Sequence, residues 1–404
     1  MRNIPRAALP ILLAAAAALA LANGMRQSLG LFLLPVTRDL GLAVADFTLA
    51  IALQNLAWGL AQPFAGAVAS RFGFRPTMLA GGVAYAAGLL LLANAQGVLA
   101  VMLGAGLLIG IALAATASGM AMAVASRPVP NAARSSVLGI VSAVGSTGPL
   151  FAAQVAQGLM DAFDWRAGVL GLGLLALCLL PAAWIAGRVD RMPIAPAAGG
   201  DASAMAAARA AMRHGGFVVM AGAYFVCGLQ LVFLTTHLPS YLVLCGLDPM
   251  LGATALGVIA AFNVVGSLFF GWAGGRWSKG VLLGLIYVTR SVVLGWYFAV
   301  PPTPGSTLVF AAIMGFLWLG VAPLISGAVV EMFGLRWQAM IQGFAFFSHQ
   351  LGSFLGAYGG GVIFDAMGSY DLAWKLGVGM GLAAGILQVV VALPRGPRPR
   401  PAPA

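Results

Sequence analysis

Twelve runs of about 20 apolar residues constrain this chain more than any other feature. Wound as an α-helix at 1.5 Å per residue, such a run reaches across a hydrocarbon layer about 30 Å thick. The runs fall at 9–34, 45–68, 76–95, 98–126, 134–159, 166–187, 215–240, 251–274, 281–300, 306–330, 341–365 and 371–393, numbered here α1 to α12. Composition agrees: 61% of the 404 residues are hydrophobic and 8% charged, where a soluble domain carries about one quarter charged residues. Glycine is abundant, at 55 residues, as expected where helices must approach closely without a hydrophobic push between them. The predicted class is an all-α integral membrane protein with twelve transmembrane helices.

A net charge of +11 raises either nucleic acid or a membrane as partner. The cations sit in short segments between apolar runs, so the lipid bilayer is the expected partner and nucleic acid is not. Of 21 Lys and Arg, 16 fall on the side that holds both termini, among them Arg71, Arg75, Arg127, Arg134, Arg188, Arg191, Arg209, Arg213, Arg276 and Lys279. Arg2, Arg6, Arg395, Arg398 and Arg400 lie there too, and the other side has only Arg38, Arg166 and Lys375. The positive-inside rule then predicts a multi-pass protein of the cell inner membrane with both termini cytoplasmic. Residues 1–22 look like a secretory leader ending in Ala20-Leu21-Ala22, yet the apolar run resumes after Arg26. Removing them would break the even helix count, so α1 is expected to be retained. Cys178, Cys227 and Cys245 offer neither a disulfide framework nor a metal-binding spacing. No cofactor and no metal are expected, and the chain is expected to be monomeric.

The two parts of the sequence repeat one plan, two of its motifs at an offset of 205 residues. Gly41-Leu42 after α1 is echoed by Gly246-Leu247 after α7, and Gly66 and Arg71 after α2 by Gly271 and Arg276 after α8. "DAFDWRAG" at 161–168 has its counterpart in Asp365-Ala366-Met367 and "WKLG" at 374–377. The expected organisation is a six-helix half over 1–187, a cytoplasmic linker over 188–214 with a short helix near 203–213, a second half over 215–394, and a tail over 395–404. Two parallel six-helix halves are a recognised transporter plan.

"GAVASRFGFRP" (66–76) resembles the signature between the second and third helices of the major facilitator superfamily, through Gly66, Arg71, Gly73 and Arg75. "GWAGGRWSK" repeats it with Gly271, Arg276 and Lys279. Ser70 and Gly275 stand where that signature has an acid, which in the family helps to latch the cytoplasmic gate. Within the superfamily the chain resembles the monocarboxylate-porter-like branch, through "MRQSLGLFLLPVTRDLG", "THLPSYLVLCGL" and "HQLGSFLGAYGGGVIFDAMGSYDLAWKLGV". It is also partly similar to the oxalate:formate antiporter, whose cations in the eighth and eleventh helices are replaced here by Asn263 and His349. The resemblance implies the major facilitator fold and a gating motif at Gly66, Arg71, Gly73, Arg75, Gly271 and Arg276.

A charge near the bilayer centre costs about 2.5–3.5 kcal/mol on insertion scales, so each one asks for a reason. Arg26 shares a helix face with Asn23, Gln27 and Gly30. It reads as a clamp for a carboxylate, which guanidinium holds by two parallel hydrogen bonds, or as a structural arginine bonded to backbone carbonyls. Arg290 in α9 reads as a helix-bridging or a substrate-contacting residue. His349 on α11 shares a small polar face with Gly352, Ser353, Gly356 and Gly360. It can carry a coupled proton or help to hold an anion, or can sit neutral against a neighbouring helix. His237, near the outer end of α7, reads as part of an outer gate or entrance. Gln54, Asn55, Trp58 and Gln62 on α2, Tyr224 and Gln230 on α7, and Asn263 and Ser267 on α8 supply candidate hydrogen bonds for a wet cavity. "GSTGPL" (145–150) predicts close packing and a bend in α5.

No acidic residue lies deep in a span, so the cavity should be positive. The residues predict a secondary transporter of a small organic anion, a mono- or dicarboxylate, coupled to protons or working by exchange. The expected substrate-binding set is Arg26, Asn23, Gln27, Gln54, Trp58, Tyr224, Asn263, His349 and Arg290, with His349 and His237 for coupling. An exporter of amphipathic drugs or metabolites is the alternative. An enzyme is not expected, because no nucleophile–base pair or phosphate loop is present.

Overall fold

The computed structural model describes residues 5–193 and 203–393, without the side chains of Pro249, Ala253 and Asp365. Arg2, Arg395, Arg398, Arg400 and the expected tail lie outside the described residues. The helices run α1 Ala8–Leu40, α2 Val44–Phe72, α3 Phe74–Ala93, α4 Val98–Ser126, α5 Asn131–Ala162 and α6 Trp165–Arg191. The second half follows as α7 Gly215–Leu244, α8 Pro249–Ala273, α9 Lys279–Ala299, α10 Pro304–Phe333, α11 Gln338–Met367 and α12 Asp371–Ala392. Eleven are long and apolar enough to cross a membrane. α11 is long enough, at 30 residues, but His349, three glutamines and six glycines dilute its apolar character. Neighbouring helices cover part of those groups: Gly343 lies against α2, and Gly352 and Gly356 lie against α7.

The internal repeat is visible as geometry. Gly41 and Gly246 both turn with positive φ, at 62° and 77°, a conformation that glycine enters without steric cost. Each turn is closed by the same bond, Leu42 N–H to the Thr37 carbonyl and Leu247 N–H to the Leu242 carbonyl. Between the halves, Ser203 caps a short linker helix, Ala204–Arg213, its hydroxyl accepting from Ala206 N–H at 3.2 Å. Residues 188–191, expected in the linker, instead continue α6 as a tight final turn.

Four helices depart from regular geometry in places that matter for the site. α1 tightens to a 3₁₀ turn at Leu29–Phe32, just beyond Arg26. α4 contains a π segment, Met102–Leu108, and breaks at Ala117. α5 breaks after Gly145, and a Cβ at Gly148 would lie only 1.8 Å from the Ala20 carbonyl oxygen, so α1 and α5 cross in near-backbone contact there. α10 breaks at Leu319–Gly320.

The halves meet on the side that holds both described chain ends, called here the terminal side. A Cβ on Gly66 would be 2.4 Å from the α11 backbone at Met340, one on Gly343 2.6 Å from Pro63 N, and one on Gly271 2.5 Å from the Gly139 Cα. Gln338 donates to Ser126 Oγ at 2.9 Å and to Ser326 Oγ at 2.7 Å, tying α4 to α10 and α11. Along α11 the stripe facing α2 is buried through Gln350 and becomes exposed at Phe354 and Tyr358. On α2 the matching stripe is buried at Pro63 and Gly59 and exposed at Thr48. The pair therefore closes on the terminal side and diverges beyond its middle.

Candidate functional site

At the level where α2 and α11 part, six polar and aromatic side chains from both halves converge. Arg26 of α1 is half-buried, and its Nη2 donates to Asn55 Oδ1 at 2.6 Å. Among the described residues its Nε is buried without a hydrogen-bond partner. The guanidinium carbon stands 5.2 Å from the centroid of Trp58, a distance at which the ring face attracts a cation. From the second half, Gln350 donates to the Asn55 carbonyl at 3.1 Å. His349 Nδ1 lies 3.3 Å from Gln350 Oε1 and 3.3 Å from Ser353 Oγ. The Ser353 hydroxyl donates to the His349 carbonyl at 2.9 Å; its single proton being committed there, Nδ1–H is left to donate to Gln350 Oε1. That leaves Nε2 as the ring nitrogen with a lone pair.

Aromatic faces complete the surroundings. Phe346 sits 4.6 Å from Trp58 across the junction, and His349 lies 4.5 Å from Tyr224 and parallel to Phe346. Trp58 is aimed from behind: its Nε1 donates to Gln62 Oε1 at 3.0 Å, and Gln62 donates to the Ala114 carbonyl at 3.1 Å. That carbonyl lies just before the α4 break at Ala117, where the regular ladder ends.

Of the expected site residues, the structure brings together Arg26, Trp58, Tyr224 and His349. Asn23 is half-buried and Gln27 exposed on the same helix, without a side-chain hydrogen bond among the described residues. Four others sit elsewhere, and each has a physical reason. Gln54 is fully buried and donates to the Ala105 carbonyl at 2.6 Å, inside the α4 π segment. Asn263 accepts from Leu319 N–H at 2.8 Å, and Arg290 donates to the Leu317 carbonyl at 2.7 Å and to Cys227 Sγ at 3.1 Å. Both therefore satisfy the backbone groups released by the α10 break, and Arg290 is 0% exposed. His237 contacts the Ala357 carbonyl at 2.9 Å through Nε2 and the Tyr370 hydroxyl at 3.2 Å through Nδ1, a bridge from α7 to α11 and the turn before α12. Asn55, a sequence candidate for cavity hydrogen bonds, joins the cluster; Gln350 and Phe346 are additions whose only sequence signal is their position beside His349 on α11.

On the terminal side, Gly66 and Gly271 sit at close crossings between the halves. Arg71 and Arg276 are exposed, each over its neighbouring ring, Phe72 and Trp272. Ser70, at the acid position of the signature, has a buried hydroxyl without a partner among the described residues. The loop is held instead by Asp190 at the end of α6, whose two oxygens accept from Phe74 N–H at 2.8 Å and Arg75 N–H at 2.9 Å. A carboxylate there caps the positive end of α3. Gly73 turns at φ 106° with Asp190 Oδ2 only 2.9 Å from where a Cβ would stand. Arg127 lies 4.4 Å from the Phe74 centroid; burial pushes its guanidinium down to about 10, with Asp190 opposing, so it stays cationic at neutral pH.

Residues 12–357 match the family model described as Major Facilitator Superfamily. The chain belongs to the major facilitator superfamily. It is thus a multi-pass membrane transporter, and this superfamily member is similar in sequence to monocarboxylate transporters. It is 26% identical over 377 residues to monocarboxylate transporter 13 of Bos taurus, covering 93% of this chain and 86% of that one. Against monocarboxylate transporter 11 of Homo sapiens it is 26% identical over 395 residues, covering 93% and 80%. Among solved structures, the proton:xylose symporter XylE superimposes with a TM-score of 0.70 at 13% identity, covering 96% of each chain. The Escherichia coli fucose:proton symporter FucP gives 0.70 at 15% identity, covering 95% of this chain and 99% of that one.

Proposed function

We propose that this transporter carries small organic anions with a single carboxylate, bound at Arg26 and moved by alternating access of the two halves. The observation that carries the reading is a cation at the junction of the halves whose one hydrogen bond among the described residues goes to a neutral amide. A guanidinium kept from bulk water and left partly unpaired favours an anion that can take both of its donor arms. Arg290 is sealed against the α10 carbonyls, so among the described residues a second carboxylate finds no second arginine or lysine at the junction. Trp58, Phe346 and Tyr224 offer flat apolar faces for the remainder of the substrate. We assign proton coupling to His349, whose Nε2 lone pair adjoins the same cluster. The monocarboxylate names of the sequence relatives and the proton-symporter names of the structural neighbours agree with this reading.

Uptake into proteoliposomes tests it. Radiolabelled lactate and benzoate should enter at least about tenfold faster than succinate and neutral benzamide, the selectivity expected when an unpaired or unmatched charge is the penalty. Benzamide entering as fast as benzoate would point instead to a carrier of amphipathic compounds.

The excess of Arg and Lys on the terminal side supports a cytoplasmic position for that side in an inner membrane. Cys245, exposed in the turn after α7 on the opposite side, should then react with a membrane-impermeant maleimide in intact cells, whereas a cysteine placed at Arg209 should react only after permeabilisation. The reverse pattern would invert the topology.

A further inference from the structure

Arg26 is not alone at the junction, and its partner is the informative residue. Asn55 Oδ1 takes the Nη2 proton at 2.6 Å and lies 3.5 Å from Gln350 Nε2 of the opposite half. Gln350 also donates to the Asn55 carbonyl at 3.1 Å, and its side chain crosses α2 over Gly59, where a Cβ would stand 2.8 Å from the Gln350 Cβ. So the amide on α2 is held from behind by an amide on α11, and glycine leaves the room for it.

We propose that Asn55 is a stand-in for the substrate carboxylate: it takes one arm of the Arg26 guanidinium and is displaced when an anion binds, with Gln350 positioning it. This rests on the reading of Arg26 as an anion clamp and adds the residue that sets its affinity. The chemistry favours an amide in this role. A hydrogen bond from guanidinium to a neutral oxygen keeps the buried cation from being wholly unpaired, yet it is weaker than the charge-assisted pair a carboxylate makes. An acid at this position would hold Arg26 permanently. An apolar residue would leave it bare.

Asn55 therefore acts as a competitor, and competition has a sign that a structural role does not share. Kd for radiolabelled benzoate is measured on the purified full chain by scintillation proximity. Asn55→Ala should tighten binding about threefold to tenfold, Gln350→Ala should tighten it less, and Asn55→Asp should weaken it about tenfold or more. If Asn55 merely supported the fold or aimed Arg26, both substitutions at that position would weaken binding. A ligand-independent readout accompanies the series: Asn55→Asp, forming an internal ion pair with Arg26, should raise the apparent Tm of the ligand-free protein above that of Asn55→Ala. Weaker benzoate binding in Asn55→Ala, with normal binding in the wild type, overturns this proposal alone. Absence of benzoate binding in the wild type removes the clamp reading and this proposal with it.

Discussion

Replacing Arg26 with alanine should lower kcat/KM for carboxylate uptake by about 100-fold or more while leaving the protein at least as stable. Each hydrogen bond to a charged group contributes about 1.5–3 kcal/mol, and each 1.4 kcal/mol is tenfold. Losing both arms of a bidentate pair thus reaches two orders of magnitude. Stability moves the other way, because a charge at the bilayer centre is itself costly to insert, by about 2.5–3.5 kcal/mol. Arg26→Lys keeps the charge but not the planar fork, and should retain more activity than alanine, at roughly a tenth of the wild-type rate. Uptake assays with Tm measured on the same preparations separate the two effects. Equal loss of uptake and of stability would mean that Arg26 is a structural arginine.

The second large effect is expected at the terminal-side closure. Gly66→Ala places a Cβ 2.4 Å from the backbone of Ala339 and Met340, atoms that cannot rotate away. Alanine favours the helix itself, so the cost falls on the closed arrangement of the halves rather than on α2. Overpacking of this kind costs about 1–3 kcal/mol, enough to shift a two-state population by about fivefold to 150-fold. Uptake should fall accordingly, and a cysteine at Ala67, which packs against the second half in the closed state, should become reactive from the terminal side. Peptide-resolved labelling detects it. Unchanged labelling and unchanged uptake would remove the Gly66 crossing from the transport cycle.

Much of this architecture is legible in the chain. Lipid as solvent makes each spanning helix an apolar run, and the Gly41 and Gly246 turns repeat because both need a left-handed residue after the same carbonyl. Arg26 stands out in sequence for the reason it matters in structure: nothing local compensates it. What sequence could not separate were polar residues that serve helix breaks from those that face the junction. Gln54, Asn55, Trp58 and Gln62 share one stretch of α2, yet Gln54 and Gln62 turn to carbonyls freed by the π segment and break of α4, irregularities that no periodicity reveals. Arg290 reads in sequence as a helix bridge or a substrate contact and Asn263 as a cavity residue, and the α10 break gives both of them backbone partners. Asp190, between Arg188 and Arg191, read as linker because its value as a cap depends on α3 arriving beside α6.

The most direct test compares a carboxylate with its own primary amide. Equilibrium binding of benzoate and benzamide is measured on the wild type and on Arg26→Ala. The wild type should prefer benzoate by about 100-fold, and Arg26→Ala should bind the two about equally. A preference for benzoate that survives intact in Arg26→Ala would contradict the account, because the charge being recognised would then be met elsewhere.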